Sequence, residues 1–167
     1  MPYTFCPQCA ARLTPRRLDG KDRLACPNCD FVFYNNSLPC VGVLALHEGK
    51  VLLVKRAVEP YKGYWDIPGG FLESLEHPEA GAEREFLEET GLRIHPTEIL
   101  GFFMDTYGPD EEPTLNICYL AELAGGSGKP GSDAVELGWF PLDALPEDIA
   151  FNWERDAIHM LRDRLAD

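Results

Sequence analysis

Cations are scarce in this chain: its 167 residues carry 15 Lys and Arg against 28 Asp and Glu, a formal charge of -13. A surface built to neutralise nucleic-acid phosphates or to lie on anionic lipid needs the opposite balance, so no nucleic-acid and no membrane partner is expected. Long apolar runs are also missing, none approaching the roughly 18 residues of a membrane span. The opening Met-Pro-Tyr-Thr-Phe-Cys lacks the basic and apolar regions of a signal peptide. There are no internal repeats and no low-complexity tract. These absences point to a soluble, cytoplasmic protein. The 45% of apolar residues suffices for one domain with a core and a short appendage.

A cytosolic setting keeps thiols reduced, so the six cysteines are not expected to form structural disulfides. Four of them form two Cys-x-x-Cys pairs, Cys6-Pro-Gln-Cys9 and Cys26-Pro-Asn-Cys29, at the spacing of a closed four-thiolate zinc site. Such a site leaves no open coordination position, so its role is structural. Leu13 to Leu24, turning at Asp19-Gly20, reads as a hairpin between the knuckles, and residues 1–34 read as a ribbon folded by its metal. Ala10 and Asp30 follow the second cysteine of each knuckle, where a left-handed backbone favours glycine. Asp tolerates that conformation better than Ala, so strain is expected at the first knuckle. Cys40 and Cys118 stand in β-prone runs and read as small buried hydrophobes.

Apolar density rises after Tyr34-Asn35-Asn36-Ser37, so a main domain is expected over 38–167. Cys40 to Leu46 and Val51 to Val54 flank His47-Glu48-Gly49-Lys50 as a β-hairpin. A short strand ends at Pro68-Gly69-Gly70. Glu79 to Thr90 reads as a helix with Pro78 at its first turn and Gly91 as its left-handed stop. Further strands are expected at Ile99 to Asp105, Thr114 to Leu123 and Val135 to Phe140. Asn152 is a candidate cap for a last helix carrying Trp153, Ala157, Leu161 and Leu165 on one face.

Between Gly70 and Leu92 stand seven acids and one base. Glu85, Glu88 and Glu89 fall at i, i+3 and i+4, so their side chains leave one helix face. Like charges so placed repel unless a cation compensates, and hard divalent ions take oxygen ligands of this kind together with substrate phosphates. The pattern Gly70-x5-Glu76-x7-Arg84-Glu85-Phe86-x-Glu88-Glu89-x-Gly91-Leu92 resembles the Nudix box at every fixed position. The strands Val51 to Ala57 and Trp65 to Phe71, the segment Trp139-Phe140-Pro141-Leu142, and the cysteine knuckles followed by Tyr34-Asn35-Asn36 extend the resemblance to Nudix enzymes with an N-terminal zinc ribbon, among them NADH pyrophosphatases and related dinucleotide hydrolases.

That resemblance implies an α/β fold, the Nudix α-β-α sandwich with a mixed sheet, preceded by a small four-cysteine zinc ribbon. It implies hydrolysis of a nucleoside diphosphate linked to another moiety, such as ADP-ribose, FAD or NADH, into two monophosphates. Glu85, Glu88 and Glu89, with the Gly69 carbonyl, would hold Mg²⁺ or Mn²⁺. Arg84 would orient these carboxylates, and Glu76 would brace the loop or hold a second ion through water. Zn²⁺ would sit on Cys6, Cys9, Cys26 and Cys29. Family members differ in their general base; Glu136 is the favoured candidate, with Asp133, Glu111 and Glu112 behind it. Arg56 is a candidate for a substrate phosphate, and Phe103 and Tyr107 for stacking on a base. The Ser-Gln-Pro-Trp signature of the NADH-preferring group is absent from residues 94–113, which argues against NADH. Pro109 stands near the offset seen in ADP-ribose-preferring members. Two other readings remain: cleavage of nucleoside triphosphates with release of pyrophosphate, and a non-catalytic nucleotide-sensing or partner-binding module. Many enzymes of this kind are homodimers.

Overall fold

The computed structural model describes residues 3–131 and 133–166. The chain divides into two compact units, Met1–Ser37 and Leu38–Asp167.

The first unit is a three-stranded sheet of β1 (Thr14–Leu18), β2 (Lys21–Ala25) and β3 (Val32–Phe33), in that order. The β1-β2 turn is the expected one, with Asp19 and Gly20 both at positive φ (48° and 76°), the backbone of a two-residue hairpin turn. Its small core is Cys6, Leu13 and Cys26. Ala10 sits at φ 59°, the strain expected at the first knuckle. Asp30 does not share it: it is not among the positive-φ residues, so the second knuckle closes without a left-handed residue there.

The second unit is a seven-stranded mixed sheet between two helices. Its main path runs β10 (Ala134–Pro141), β5 (Lys50–Arg56), β4 (Leu38–His47), β9 (Glu112–Gly126), β8 (Leu92–Tyr107), and β6 (Trp65–Asp66) and β7 (Gly69–Phe71) pair with β5 and β4. The expected hairpin of β4 and β5 exists only at its turn, as Leu46↔Val51 and His47↔Lys50. Beyond the turn the strands part. β4 runs parallel to β9 from Leu38↔Thr114 to Ala45↔Ala121, β5 takes β6 as partner, and β7 lies against Cys40, Val41 and Gly42. The Trp65–Phe71 segment therefore occupies the split and brings Gly69 and Gly70 to the middle of the sheet.

Helix α1 (Pro78–Thr90) starts as its sequence dictates, with proline in the first turn and His77 Nδ1 accepting the Glu79 N–H at 3.4 Å. It stops at Gly91, φ 65°, whose N–H returns to the Leu87 carbonyl. Ala82 and Phe86, at i and i+4, are fully buried against Val41, Val43, Leu52, Ile117 and Tyr119. On the other face, α2 (Asn152–Ala166) packs Trp153, Ala157, Ile158 and Leu161 onto Leu44, Leu53, Trp65 and Cys118. Leu165 does not join them, being 60% exposed one turn beyond the core. The cap of α2 also differs from expectation. Asp105 of β8 accepts the Trp153 N–H at 3.0 Å and Glu154 accepts the Phe151 N–H at 3.2 Å, so the helix start is satisfied by other residues than Asn152. Cys40 and Cys118 are both buried. No helix of the described residues is long and apolar enough to cross a membrane.

Candidate active site

The acidic helix meets the split sheet at Gly69 and Gly70. Glu85 is tucked against the second glycine: a Cβ at position 70 would lie 2.6 Å from the Glu85 Cδ and 2.7 Å from both its oxygens. Glu89 turns inward, where its Oε2 accepts the Gly69 N–H at 3.0 Å. Glu88 remains in solvent, its side chain 60% exposed.

Arg84 ties this group together. Its Nε and Nη2 form a bidentate pair with Glu76 at 2.8 and 2.9 Å, and its Nη1 donates to Glu85 at 2.7 Å and to Glu88 at 3.4 Å. Nη2 also donates to the Phe71 carbonyl at 3.2 Å, fixing the strand that carries the double glycine. Glu76 in turn accepts the Glu73 N–H at 2.8 Å, which closes the loop between β7 and α1. The Arg84 hydrogen bonds, helped by that N–H, hold the Glu76 carboxyl down at about 2, and the same contacts raise the Arg84 guanidinium. Burial raises Glu85, and it pushes Glu89 up to about 8 with help from the nearby Asp66 charge.

Two buried acids lie behind Glu89. Asp66 forms an ion pair with Arg56, whose Nε donates to the Pro60 carbonyl at 2.7 Å. Glu154 of α2 is fully buried and bonded to Asp66; its Oε1 accepts the Ile67 N–H at 3.0 Å. Burial, then the Asp66 charge, raises Glu154 well above the usual carboxylate range.

A cavity of about 60 Å³ opens beside the glutamates, lined among others by Arg56, Asp66, Gly69, Gly70, Tyr107 and Asn116. Tyr107 stands in its wall, stacked on Phe151 (centroids 5.8 Å, 22°) and edge-on to Phe71 (5.1 Å). Phe103 does not line it; the ring packs against Trp153, 6.1 Å away, beside the core. Glu136 lies on β10 opposite Lys55 of β5 and pairs with its Nζ at 3.6 Å. Asp133, exposed before β10, offers its carbonyl to the Ala57 N–H. The lining residues Asn116 and Phe151 were not legible in the sequence, since one comes from β9 and the other from the segment before α2; Phe71, beside the double glycine, carried a local signal.

The donor sets fit metals of two kinds. In the ribbon the four sulfurs lie within 4.8 Å of one another, with separations of 3.4, 3.6 and 3.9 Å. These match the ~3.8 Å edge of a tetrahedron with Zn–S bonds of about 2.3 Å, and all four thiols are free. The helix offers hard carboxylate oxygens that suit a divalent cation of the Mg²⁺ class. No three acidic side chains gather as tightly as the thiols among the described residues, because Arg84 bridges Glu76, Glu85 and Glu88 and Gly69 draws Glu89 inward.

A split mixed sheet between two helices, with a glutamate-rich loop and helix against a double glycine, defines a hydrolase architecture of one kind. Residues 37–161 match the family model described as NUDIX domain, and residues 4–35 match one described as Nudix N-terminal, a zinc ribbon. The chain belongs to the Nudix family and is a Nudix hydrolase; a Nudix domain implies dependence on a divalent metal. It is 38% identical over 122 residues to an ADP-ribose pyrophosphatase of Methanocaldococcus jannaschii, covering 70% of each chain. It is 31% identical to the NAD-capped RNA hydrolase NudC of Chromobacterium violaceum, over 96% of this chain and 60% of that one. The crystal structure of a NUDIX hydrolase from Nitrosomonas europaea superposes with a TM-score of 0.80 at 32% identity, over 98% of this chain and 93% of that one.

Proposed function

We propose that this chain hydrolyses the pyrophosphate bond of a nucleoside diphosphate linked to another moiety, with ADP-ribose as the first substrate to test, and releases two monophosphates. The observation that carries this reading is the placing of Glu85 and Glu89 against Gly70 and Gly69 at the mouth of a cavity, with Arg84 bridging Glu85 to Glu76 and Glu88. The relative named ADP-ribose pyrophosphatase supports the choice of substrate.

Glu85, Glu88, Glu89 and the Gly69 carbonyl hold Mg²⁺ or Mn²⁺ in this reading, with Glu76 as brace or outer ligand. The bound cation supplies Lewis-acid activation of water and screens the phosphates from the carboxylates. Arg84 orients the carboxylates, Glu136 takes the proton of the attacking water, and Arg56 and Tyr107 receive the substrate. Residues 1–34 form the zinc ribbon on Cys6, Cys9, Cys26 and Cys29, and 38–167 the hydrolase domain. A homodimer in the cytoplasm completes the picture; the exposed Ile99, Phe102 and Met104 on edge strand β8 support self-association.

The test is a product-resolved assay of the full chain with Mg²⁺ or Mn²⁺ on ADP-ribose, FAD, NADH, a nucleoside triphosphate and an NAD-capped RNA. AMP with ribose 5-phosphate from ADP-ribose is the expected result. Pyrophosphate from the triphosphate alone would establish the house-cleaning reading. Cleavage of the capped RNA with little action on free ADP-ribose would overturn both the substrate choice and the exclusion of nucleic acid drawn from the charge. Inactivity on every substrate would favour a sensing module.

A further inference from the structure

The cavity beside the glutamates is too small for a nucleoside. At about 60 Å³ it lies far below the range of roughly 300–1,000 Å³ typical of small-molecule pockets. Arg56, Thr106 and Asn116 are the polar groups that a sugar or phosphate would meet there, in a wall that also holds Val41, Ile67 and Trp153. The ring of Tyr107 in its wall is stacked directly on Phe151, with centroids 5.8 Å apart, so no base enters between the two.

Tyr107 also belongs to a second, wider hollow of about 700 Å³, whose other walls include Pro60, Tyr61, Tyr64 and Pro109, with Lys62 at hand. The two spaces are joined by more than the shared tyrosine. Arg56 of the small cavity donates to the Pro60 carbonyl, and Tyr61 meets Phe151 edge-on at 5.1 Å. Outward from the glutamates there is thus a narrow neck of mixed lining and, beside it, a broad aromatic shelf.

Tyr61 is held in the left-handed region at φ 62°, a costly place for a bulky side chain, and the residue is nonetheless 47% exposed. Tyr64 is 43% exposed beside it, the two rings 5.8 Å apart. The loop is pinned by Gly63 N–H to the Arg56 carbonyl at 2.9 Å and Tyr64 N–H to the Tyr61 carbonyl at 3.0 Å. Each of the two residues keeps close to half of its surface open to solvent.

We propose that this shelf is the nucleobase subsite of the enzyme: the planar base of the substrate stacks on Tyr61 and Tyr64, while its ribose and pyrophosphate thread the neck toward the glutamates. This rests on the pyrophosphohydrolase reading and adds to it that the base, and not only the pyrophosphate, is recognised.

The test uses full-length protein with Mg²⁺, etheno-AMP as a fluorescent base probe, ribose 5-phosphate as its base-free counterpart, and the variants Tyr64→Ala and Tyr61→Asn. Wild type changes the etheno-AMP emission, and both variants weaken that binding about 10-fold or more, as expected for loss of one base-aromatic stack. Inhibition by ribose 5-phosphate stays the same in all three proteins. Tyr61→Asn relieves the left-handed backbone but loses the Phe151 contact, and the unchanged inhibition by ribose 5-phosphate shows that the site is still folded in it. In the ADP-ribose assay the variants raise KM by the same factor and leave kcat. Unchanged affinity in both variants, no emission change with wild type, or ribose 5-phosphate competing as well as AMP would each overturn the subsite. So would a concentration-dependent dimer that the two substitutions dissolve, which would make the shelf a self-association patch. If wild type binds etheno-AMP as described but hydrolyses nothing, the subsite stands and the catalytic reading fails.

Discussion

Gly70 shows how one missing methyl group shapes the site. A side chain there meets only the far end of Glu85, so the fold can accept it and the carboxylate must move. Gly70→Ala should therefore unfold at the same denaturant midpoint within about 0.5 kcal/mol of wild type. Its turnover should fall by about 100-fold, the scale of a 1 Å misplacement. Glu154 makes the opposite point, a residue far from the glutamates in sequence that sits directly behind them. Its pKa in the folded state is raised by burial, so its contribution to stability is full below the ordinary value of 4.5 and is lost as pH rises through the folded value. Glu154→Gln should flatten the decline of unfolding free energy above pH 4.5, read by chemical denaturation across pH; parallel curves for the two proteins would contradict it. The box glutamates were legible because their spacing is local. Asp66 and Glu154 were not, because the pair is made by a strand and a helix 88 residues apart in sequence, a contact that no period in the sequence encodes.

At the scale of elements, α1 was legible from its two ends, since the proline and the glycine that bound it lie within or beside it. The β4-β5 hairpin forms as read, at its turn, but β6 and β7 enter the split beyond it and β4 takes β9 as its parallel partner, which no local signal encodes. Two readings on α2 differ in the structure. Asn152 lost the cap to Asp105, 47 residues earlier on β8. Leu165, read as part of the apolar face, is 60% exposed beyond the buried part of that face. Asp105→Ala should cost about 1 kcal/mol of stability, as loss of a helix cap does, whereas Asn152→Ala should cost a few tenths. Thermal unfolding of the two variants separates these roles, and equal losses would return the cap to Asn152.

For the whole molecule, the charge of -13 is distributed by purpose. Seven of the acids lie in one loop and helix, where a single arginine bridges three of them. The ribbon is the counterpart, a unit whose small core is built around cysteines. Cys26→Ser should lower the zinc content from one ion per chain to none, measured by metal analysis after dialysis; retention of a full equivalent would show that the four sulfurs are not the ligands. The central claim is that the glutamates of α1 handle a pyrophosphate through a divalent cation. Its most direct test is the rate of ADP-ribose hydrolysis by wild type and Glu88→Gln, with and without Mg²⁺. Glu88 is the exposed member of the group, so its replacement should leave the unfolding midpoint unchanged. The account predicts two monophosphates from wild type only when the metal is present, and a loss in Glu88→Gln larger than the ~100-fold typical of outer-shell changes. Metal-independent turnover, or a Glu88→Gln enzyme at full rate, would contradict it.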